Sequence, residues 1–399
     1  MAHLSPRAEV FQSKLYPGPL RVMHVMGGLI RSGVDSIILT LAEGLRQIGG
    51  EAVLVPLVKG RIAEEAGELG LTVDPLGKKF RYDLFSILKL ARLIKKHKID
   101  ILHSWEVNGA FYACPAGRLA GVAQVNSWQI DPRESLKQIY RRRLFRQLSF
   151  RYYIWLMRFC QRVITATPEL HRALIDGGVS PIKVNYMPNG IDVDAYDFKE
   201  NTRKTILSEL KLPSDVTVIG TACRLQLIKN IPMLLKTAKR LIDAKEKVRF
   251  VIVGDGTERQ MLEDMVAELQ ITEYVRFTGW RTDAPKLMSA FDIFALTSKD
   301  EGMPIVVLEA MALGKPVVGT NVGAMNECVL HGQTGLLVPS DNVNQMTEFL
   351  RLLVRDKDRA CRFGEAGRTL VKRQFSKEIM VQRTLEVYSA AVDPISVSS

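Results

Sequence analysis

An α/β chain folded as two parallel-sheet halves, each wound on both faces by helices, is what this sequence predicts, and three observations carry the prediction. Its 399 residues exceed what one core organises, since single hydrophobic cores stop growing near about 250 to 300 residues. Short apolar runs alternate with helical spacing through the first half, as stacked strand–helix units do. The alternation restarts after the turn chemistry of Met187-Pro188-Asn189-Gly190-Ile191-Asp192.

In order, Leu20 to Met26 reads as a strand that ends in a glycine-rich turn at Gly27-Gly28, and Val34 to Ile48 then has helical spacing. Ala52 to Leu57 is a strand, Leu84 to His97 an amphipathic helix, and Ile99 to His103 a buried strand with polar Ser104 at its end. Val122 to Asn126 and Arg162 to Ala166 are further strands. Thr167-Pro168-Glu169 opens a helix with a capping hydroxyl, proline at the first position and an acid in the first turn. Beyond the linker, strands are expected at Val216–Thr221, Arg249–Val253, Val275–Thr278, Asp292–Leu296, Pro316–Gly319 and Gly335–Val338. Thr257 with Gln260 has capping-box spacing for a helix ending near Leu269. The halves are placed at 18–195 and 205–372, and a final helix, 376–391, is expected to pack back on the first half.

Composition excludes fibrous and disordered classes, because 47% hydrophobic and 25% charged residues are the usage of ordinary globular enzymes. Cys114, Cys160, Cys223, Cys328 and Cys361 are odd in number and widely spaced, with no zinc-site pattern, so all five are read as buried thiols in a reducing compartment. The first seventeen residues read as a loose tail without the apolar run of a secretory signal, and no apolar stretch reaches the ~18 residues of a membrane span. The expected location is the cytoplasm, with peripheral attachment to the inner face of a membrane as the alternative. That alternative rests on charge. Net charge is +12, and 137–162 carries eight basic and no acidic residues interleaved with Tyr152, Trp155 and Phe159, a pattern that suits an anionic membrane surface or equally a solvated packed helix. Nucleic acid is not an expected partner, since no reader motif accompanies the charge.

Arg224 follows a predicted strand, and Lys229 comes five residues later, before a helix starting near Ile231. Two cations beside a helix amino terminus suit a diphosphate. Glu301-Gly302-Met303-Pro304-Ile305 opens another helix, from which Glu309 points inward among apolar neighbours. A carboxylate there needs hydroxyl or amide donors, and sugars supply hydroxyls.

The Glu301-x7-Glu309 spacing resembles the signature of the retaining GT-B glycosyltransferases, specifically glycosyltransferase family 4. The likeness runs from Gly27-Gly28 through Asn189-Gly190-Ile191-Asp192, Gly220 to Lys229, Gly254-Asp255-Gly256 and Gly279 to Asp283 up to Pro316. It implies two Rossmann-like, doubly wound domains facing across a cleft, acceptor on the first and nucleotide sugar on the second. It implies that Arg224 and Lys229 hold the donor diphosphate, helped by Gly27 and Gly28, and that Glu309 accepts from the ribose. Glu301, with Gly302, Met303, Pro304 and Ile305, would hold the transferred sugar, and Trp280, Arg281 and Asp283 would flank the base. The catalytic set is then Arg224, Lys229 and Glu301.

The implied reaction moves a hexose or N-acetylhexosamine from a nucleotide-diphosphate sugar to a glycan or lipid-linked acceptor with retention. No cofactor or metal is expected; Asp192-Val193-Asp194 belongs to the linker turn. One departure stands out: many relatives carry a histidine where this chain has Asn126, so Asn126 and His103 are the candidate sugar or acceptor contacts. Rival readings are a catalytically silent GT-B scaffold that binds a partner or membrane, a nucleotide-sugar 2-epimerase and a phosphorylase; the last would need a pyridoxal-binding lysine and far more chain.

Overall fold

A computed structural model describes residues 19–28, 33–58, 66–78, 80, 83–129, 143–198 and 201–392. The chain forms two compact units, one built from the chain up to Gly190 together with Lys377 onward, the other from Ile191–Ser376.

The first unit runs β1 (Arg21–Gly28), α1 (Gly33–Gln47), β2 (Glu51–Val58), β3 (Thr72–Val73), α2 (Phe85–Lys96), β4 (Ile101–Trp105), α3 (Glu106–Ala120), β5 (Ala123–Trp128), α4 (Arg143–Leu156), β6 (Arg162–Thr165), α5 (Pro168–Asp176) and β7 (Val184–Tyr186). Its seven strands are parallel in the order β3-β2-β1-β4-β5-β6-β7. One apolar cluster gathers Met23, Val25, Val53 and Leu102 against α2 and α3, and another gathers Trp128, Met157, Val163 and Leu174. Thr167 caps α5 as its sequence suggests, its Oγ1 accepting from Leu170 N at 3.1 Å.

The second unit contains α6 (Asn201–Glu209), β8 (Thr217–Ala222), α7 (Ile231–Asp243), β9 (Val248–Val253), α8 (Arg259–Glu268), β10 (Val275–Gly279), α9 (Ala284–Met288), β11 (Ile293–Leu296), α10 (Ile305–Ala312), β12 (Val317–Thr320), α11 (Met325–Cys328), β13 (Gly335–Val338), α12 (Val343–Arg355) and α13 (Lys357–Gln374). Its sheet is also parallel, in the order β10-β9-β8-β11-β12-β13. The last helix, α14 (Lys377–Val392), lies in the first unit against α1, β5 and β6. Both units are doubly wound Rossmann-like sheets, reversing direction between β1 and β4 in one and between β8 and β11 in the other, where such sheets bind ligands at the strands' carboxyl ends.

Several expectations need correction. Gly27 and Gly28 are the last residues of β1 and not a turn after it, and 29–32 lie outside the described residues, as do the first eighteen and 130–142. Arg162, the last residue of the basic run, opens β6 as the strand expected at Arg162 to Ala166 has it, its backbone pairing with Val125. The capping box at Thr257 is absent: Glu258 is the cap without a side-chain bond, and the turn before it is tied elsewhere, Leu225 N to Asp255 O at 2.9 Å and Glu258 N to Leu225 O at 3.1 Å. Cys114, Cys160 and Cys328 are buried, but Cys361 is exposed and Cys223 half-buried.

Candidate active site

Arg224 and Lys229 follow β8, and Glu301 follows β11, the strand beside it, so the switch in strand order brings the two loops together. Lys229 sits in a short 3-10 turn, Leu227–Lys229, which ends at Asn230 in the left-handed region with φ 49°. Asn230 tolerates that conformation and its Nδ2 donates to Asp341 Oδ1 at 2.9 Å. The two loops are laced by backbone and hydroxyl bonds: Lys299 N to Ile228 O at 2.8 Å, and Thr297 Oγ1 to Lys229 O at 3.1 Å.

Within this frame Lys229 Nζ donates to Glu301 Oε1 at 2.6 Å, and Ser298 Oγ donates to the same oxygen at 2.5 Å. The Glu301 side chain is only 8% exposed and the Lys229 side chain 22%, so the pair is shielded from most solvent. Arg224 is exposed, with no side-chain hydrogen bond or ion pair among the described residues.

Two glycines hold these loops in place. Gly254 has φ +128°, and a Cβ there would collide with the Cys223 carbonyl oxygen, just before Arg224. Gly323 has φ +53°, and a Cβ there would strike Glu301 O. The Gly254-Asp255-Gly256 run therefore braces the Arg224 loop, Leu225 N donating to Asp255 O at 2.9 Å.

Pro304 is the cap residue of α10, with Ile305 its first residue, and Gly302 O accepts from Ala324 N at 3.1 Å. One turn on, Glu309 Oε1 accepts from Tyr196 Oη at 3.0 Å. Burial pushes the Glu309 carboxyl up from its usual range, and the Tyr196 bond opposes that rise. The Tyr196 hydroxyl is itself pushed up by burial and by the nearby Glu309 charge. Neither Tyr196 nor Ser298 was anticipated: both are ordinary residues whose partners depend on the tertiary fold.

The residues expected near the base pair largely with each other. Arg281 donates from Nε and Nη2 to Asp283 at 2.7 and 2.9 Å, and its Nη1 meets Glu209 Oε1 at 2.8 Å. Its guanidinium holds the Asp283 carboxyl below the usual range. Trp280 is more than half exposed.

In the first unit, His103 and Asn126, the candidate sugar or acceptor contacts, are fully buried. His103 shares hydrogen bonds with Tyr388 Oη at 2.7 Å and Ser127 Oγ at 2.6 Å, while Asn126 Nδ2 donates to Ser104 Oγ at 2.7 Å. Trp105 Nε1 donates to His24 Nδ1 at 3.1 Å. Burial lowers His24 to about 3 and holds His103 well below its ordinary value, so both rings are neutral parts of the interior. Among the described residues there is no cluster of three or more metal-ligating side chains, and no helix long and apolar enough to cross a membrane.

Profiles described as Glycosyltransferase Family 4 and Glycosyl transferases group 1 match residues 31–195 and 202–370. The UDP-Gal:alpha-D-GlcNAc-diphosphoundecaprenol alpha-1,3-galactosyltransferase of Escherichia coli is 29% identical over 297 residues, 69% of this chain and 71% of that one. The GDP-mannose-dependent alpha-(1-6)-phosphatidylinositol monomannoside mannosyltransferase of Mycobacterium tuberculosis is 25% identical over 311 residues, 72% and 75% of the two chains. Among solved structures, Anabaena Alr3699/HepE in complex with UDP-glucose superposes with a TM-score of 0.82 at 20% identity, over 93% of this chain and 100% of that one. This chain belongs to the family 4 glycosyltransferases of GT-B fold, enzymes that use nucleotide sugars as donors.

Proposed function

We propose that this chain transfers a hexose or N-acetylhexosamine from a nucleotide-diphosphate sugar to a glycan or lipid-linked acceptor, with retention of anomeric configuration. The observation that carries the reading is the shielded Lys229–Glu301 pair beside exposed Arg224 at the reversal point of the second sheet. Arg224 and Lys229 meet the donor diphosphate, and the amides of Gly302 and Met303 face the sugar with Glu301. As the bond to the anomeric carbon breaks, charge builds on the leaving phosphate, and preplaced cations bind that state more tightly than the intact donor. Lys229 and Ser298 both occupy Glu301 Oε1, which suits this carboxylate to hold a sugar hydroxyl and not to attack carbon. Retention follows from the resemblance in the Glu301-x7-Glu309 spacing, with the donor phosphate itself taking the acceptor proton.

Glu309 grips the ribose, one oxygen held by Tyr196 and the other open to the sugar diol. The cations neutralise the leaving group without a divalent ion. Relatives differ in base, UDP in the galactosyltransferase and GDP in the mannosyltransferase, so a thermal-shift panel of UDP, GDP, ADP and their sugars identifies the donor. Incubation with that donor, an undecaprenyl-diphosphate-linked sugar and EDTA then tests the reaction. Product of the donor's own anomeric configuration, read by NMR, is expected; inverted product, or none without added metal, overturns the corresponding part.

The acceptor side is proposed to dock on an anionic membrane. On α4, Leu148, Tyr152 and Trp155 are exposed beside Arg151, a surface that suits an interface of lipid and anionic headgroups. Liposomes rich in anionic lipid are expected to bind the protein at low salt and to release it at high salt; absence of binding at low salt rejects this docking.

A further inference from the structure

The second unit holds a cavity of about 430 Å³ at the amino-terminal ends of its strands, lined in part by Arg203, Thr217, Asp292, Lys315, Lys357 and Cys361. Thr217 begins β8, Asp292 directly precedes β11, and Pro316, also in the wall, directly precedes β12. Arg224 and Glu301 leave the opposite, carboxyl ends of β8 and β11, so the cavity is separate from the donor residues.

Its charges do not balance. Arg203 Nη2 pairs with Asp292 Oδ2 at 3.0 Å and its Nη1 donates to Ala290 O; the same Asp292 oxygen accepts from Val218 N at 2.7 Å. Asp215, also in the wall, is engaged by Lys247 at 3.3 Å. Each carboxylate thus already has a cation within bonding distance. Lys315 and Lys357 remain, with no side-chain hydrogen bond or ion pair among the described residues. Lys315 is held by rigid neighbours: its N–H bonds Ala310 O at the end of α10 at 2.9 Å, Gly314 before it has φ +68°, and the carbonyl of Pro316 after it accepts from Phe294 of β11 at 3.0 Å. Loss of water lowers this ammonium to about 8, the Asp292 charge opposing the fall and the Arg203 charge adding to it. A shielded ammonium with no hydrogen-bonded acceptor is costly, and an anion in the cavity supplies one.

We propose that this cavity is a second anion site, which takes a phosphate dianion, free or as a small monoester, on Lys315 and Lys357. Dianionic phosphate offers each ammonium its own oxygen acceptors, and the cavity has room for more than the phosphoryl group.

Calorimetric titration of the full chain with sodium phosphate tests this, against sodium chloride of equal ionic strength. Wild type and Lys229→Ala are expected to bind phosphate alike, and Lys315→Met to bind at least about tenfold more weakly, since one charge-assisted contact is lost. Lys357→Ala, at an exposed position, is expected to weaken binding as well and serves if Lys315→Met does not fold. A glucose 6-phosphate arm separates sources: tighter binding than phosphate assigns the rest of the cavity to a monoester, and equal binding assigns it to free phosphate. Phosphate binding that is unchanged in both lysine variants, or that disappears in Lys229→Ala, overturns the site.

Discussion

Lys229 Nζ lies 2.6 Å from Glu301 Oε1, so a cation that follows β8 and a carboxylate that follows β11 neutralise each other largely out of reach of solvent. Lys229→Ala is expected to lower turnover by about 10²-fold or more, because one preplaced donor to the leaving phosphate is gone. It also strands Glu301 with Ser298 alone, at about 2 kcal/mol of stability in urea unfolding, and adding Glu301→Gln returns part of that stability but none of the turnover. Wild-type turnover in folded Lys229→Ala would reject the role.

Tyr196 holds Glu309 through a single hydroxyl. Tyr196→Phe is expected to raise the donor KM about tenfold, near 1.4 kcal/mol, with kcat within about twofold. The pH profile adds a readout. Burial raises the Glu309 carboxyl, so donor binding weakens as pH falls through its titration, and loss of the opposing Tyr196 bond moves that acid limb to higher pH. An unmoved KM and limb would leave Tyr196 a packing residue.

Gly254 occupies backbone that L side chains rarely adopt and touches the carbonyl before Arg224. Gly254→Ala is expected to cost about 3 kcal/mol and to weaken nucleotide binding by displacing the Arg224 loop. Calorimetric melting with and without nucleotide checks both effects; an unchanged melting temperature contradicts the brace.

His24 and His103 should make the first unit acid-labile. Their folded values lie below the unfolded histidine value of about 6.5, so the unfolded chain binds protons first as pH falls. Stability is full above that pH and declines toward the folded value of about 3 for His24, at about 1.4 kcal/mol per pH unit for each histidine. Urea unfolding between pH 7 and 4 is expected to show a shallower slope for His24→Gln, and an identical slope counts against the burial argument.

Most strands were legible because each is a short β-branched run between turn residues, and the Arg224, Lys229 and Glu301 positions because they sit where such runs end. Helix α3 escaped: Gly109, Pro115 and Gly117 read as breakers, and burial of Val107, Ala110, Tyr112, Ala113 and Ala116 leaves no polar face to mark a helical period. Strands β3 and β7, two and three residues long, are too short for any pattern. In the sequence His103 is only a substitute for the histidine absent at Asn126, and its interior bonding was not legible, since its partners Ser127 and Tyr388 are 24 and 285 positions away. Glu309 was legible as a buried carboxylate, but its partner Tyr196 lies 113 positions away and carries no local signal.

Ile191 N donates to Phe375 O at 2.9 Å, and Ile191 forms a parallel bridge with Ser376. The outgoing and returning passes of the polypeptide are therefore clipped together, and 191–376 is an uninterrupted insert with adjoining ends. A protease that nicks one pass cannot liberate either half. The insert can be cut out and expressed as one piece, whereas its host needs two separate stretches of chain.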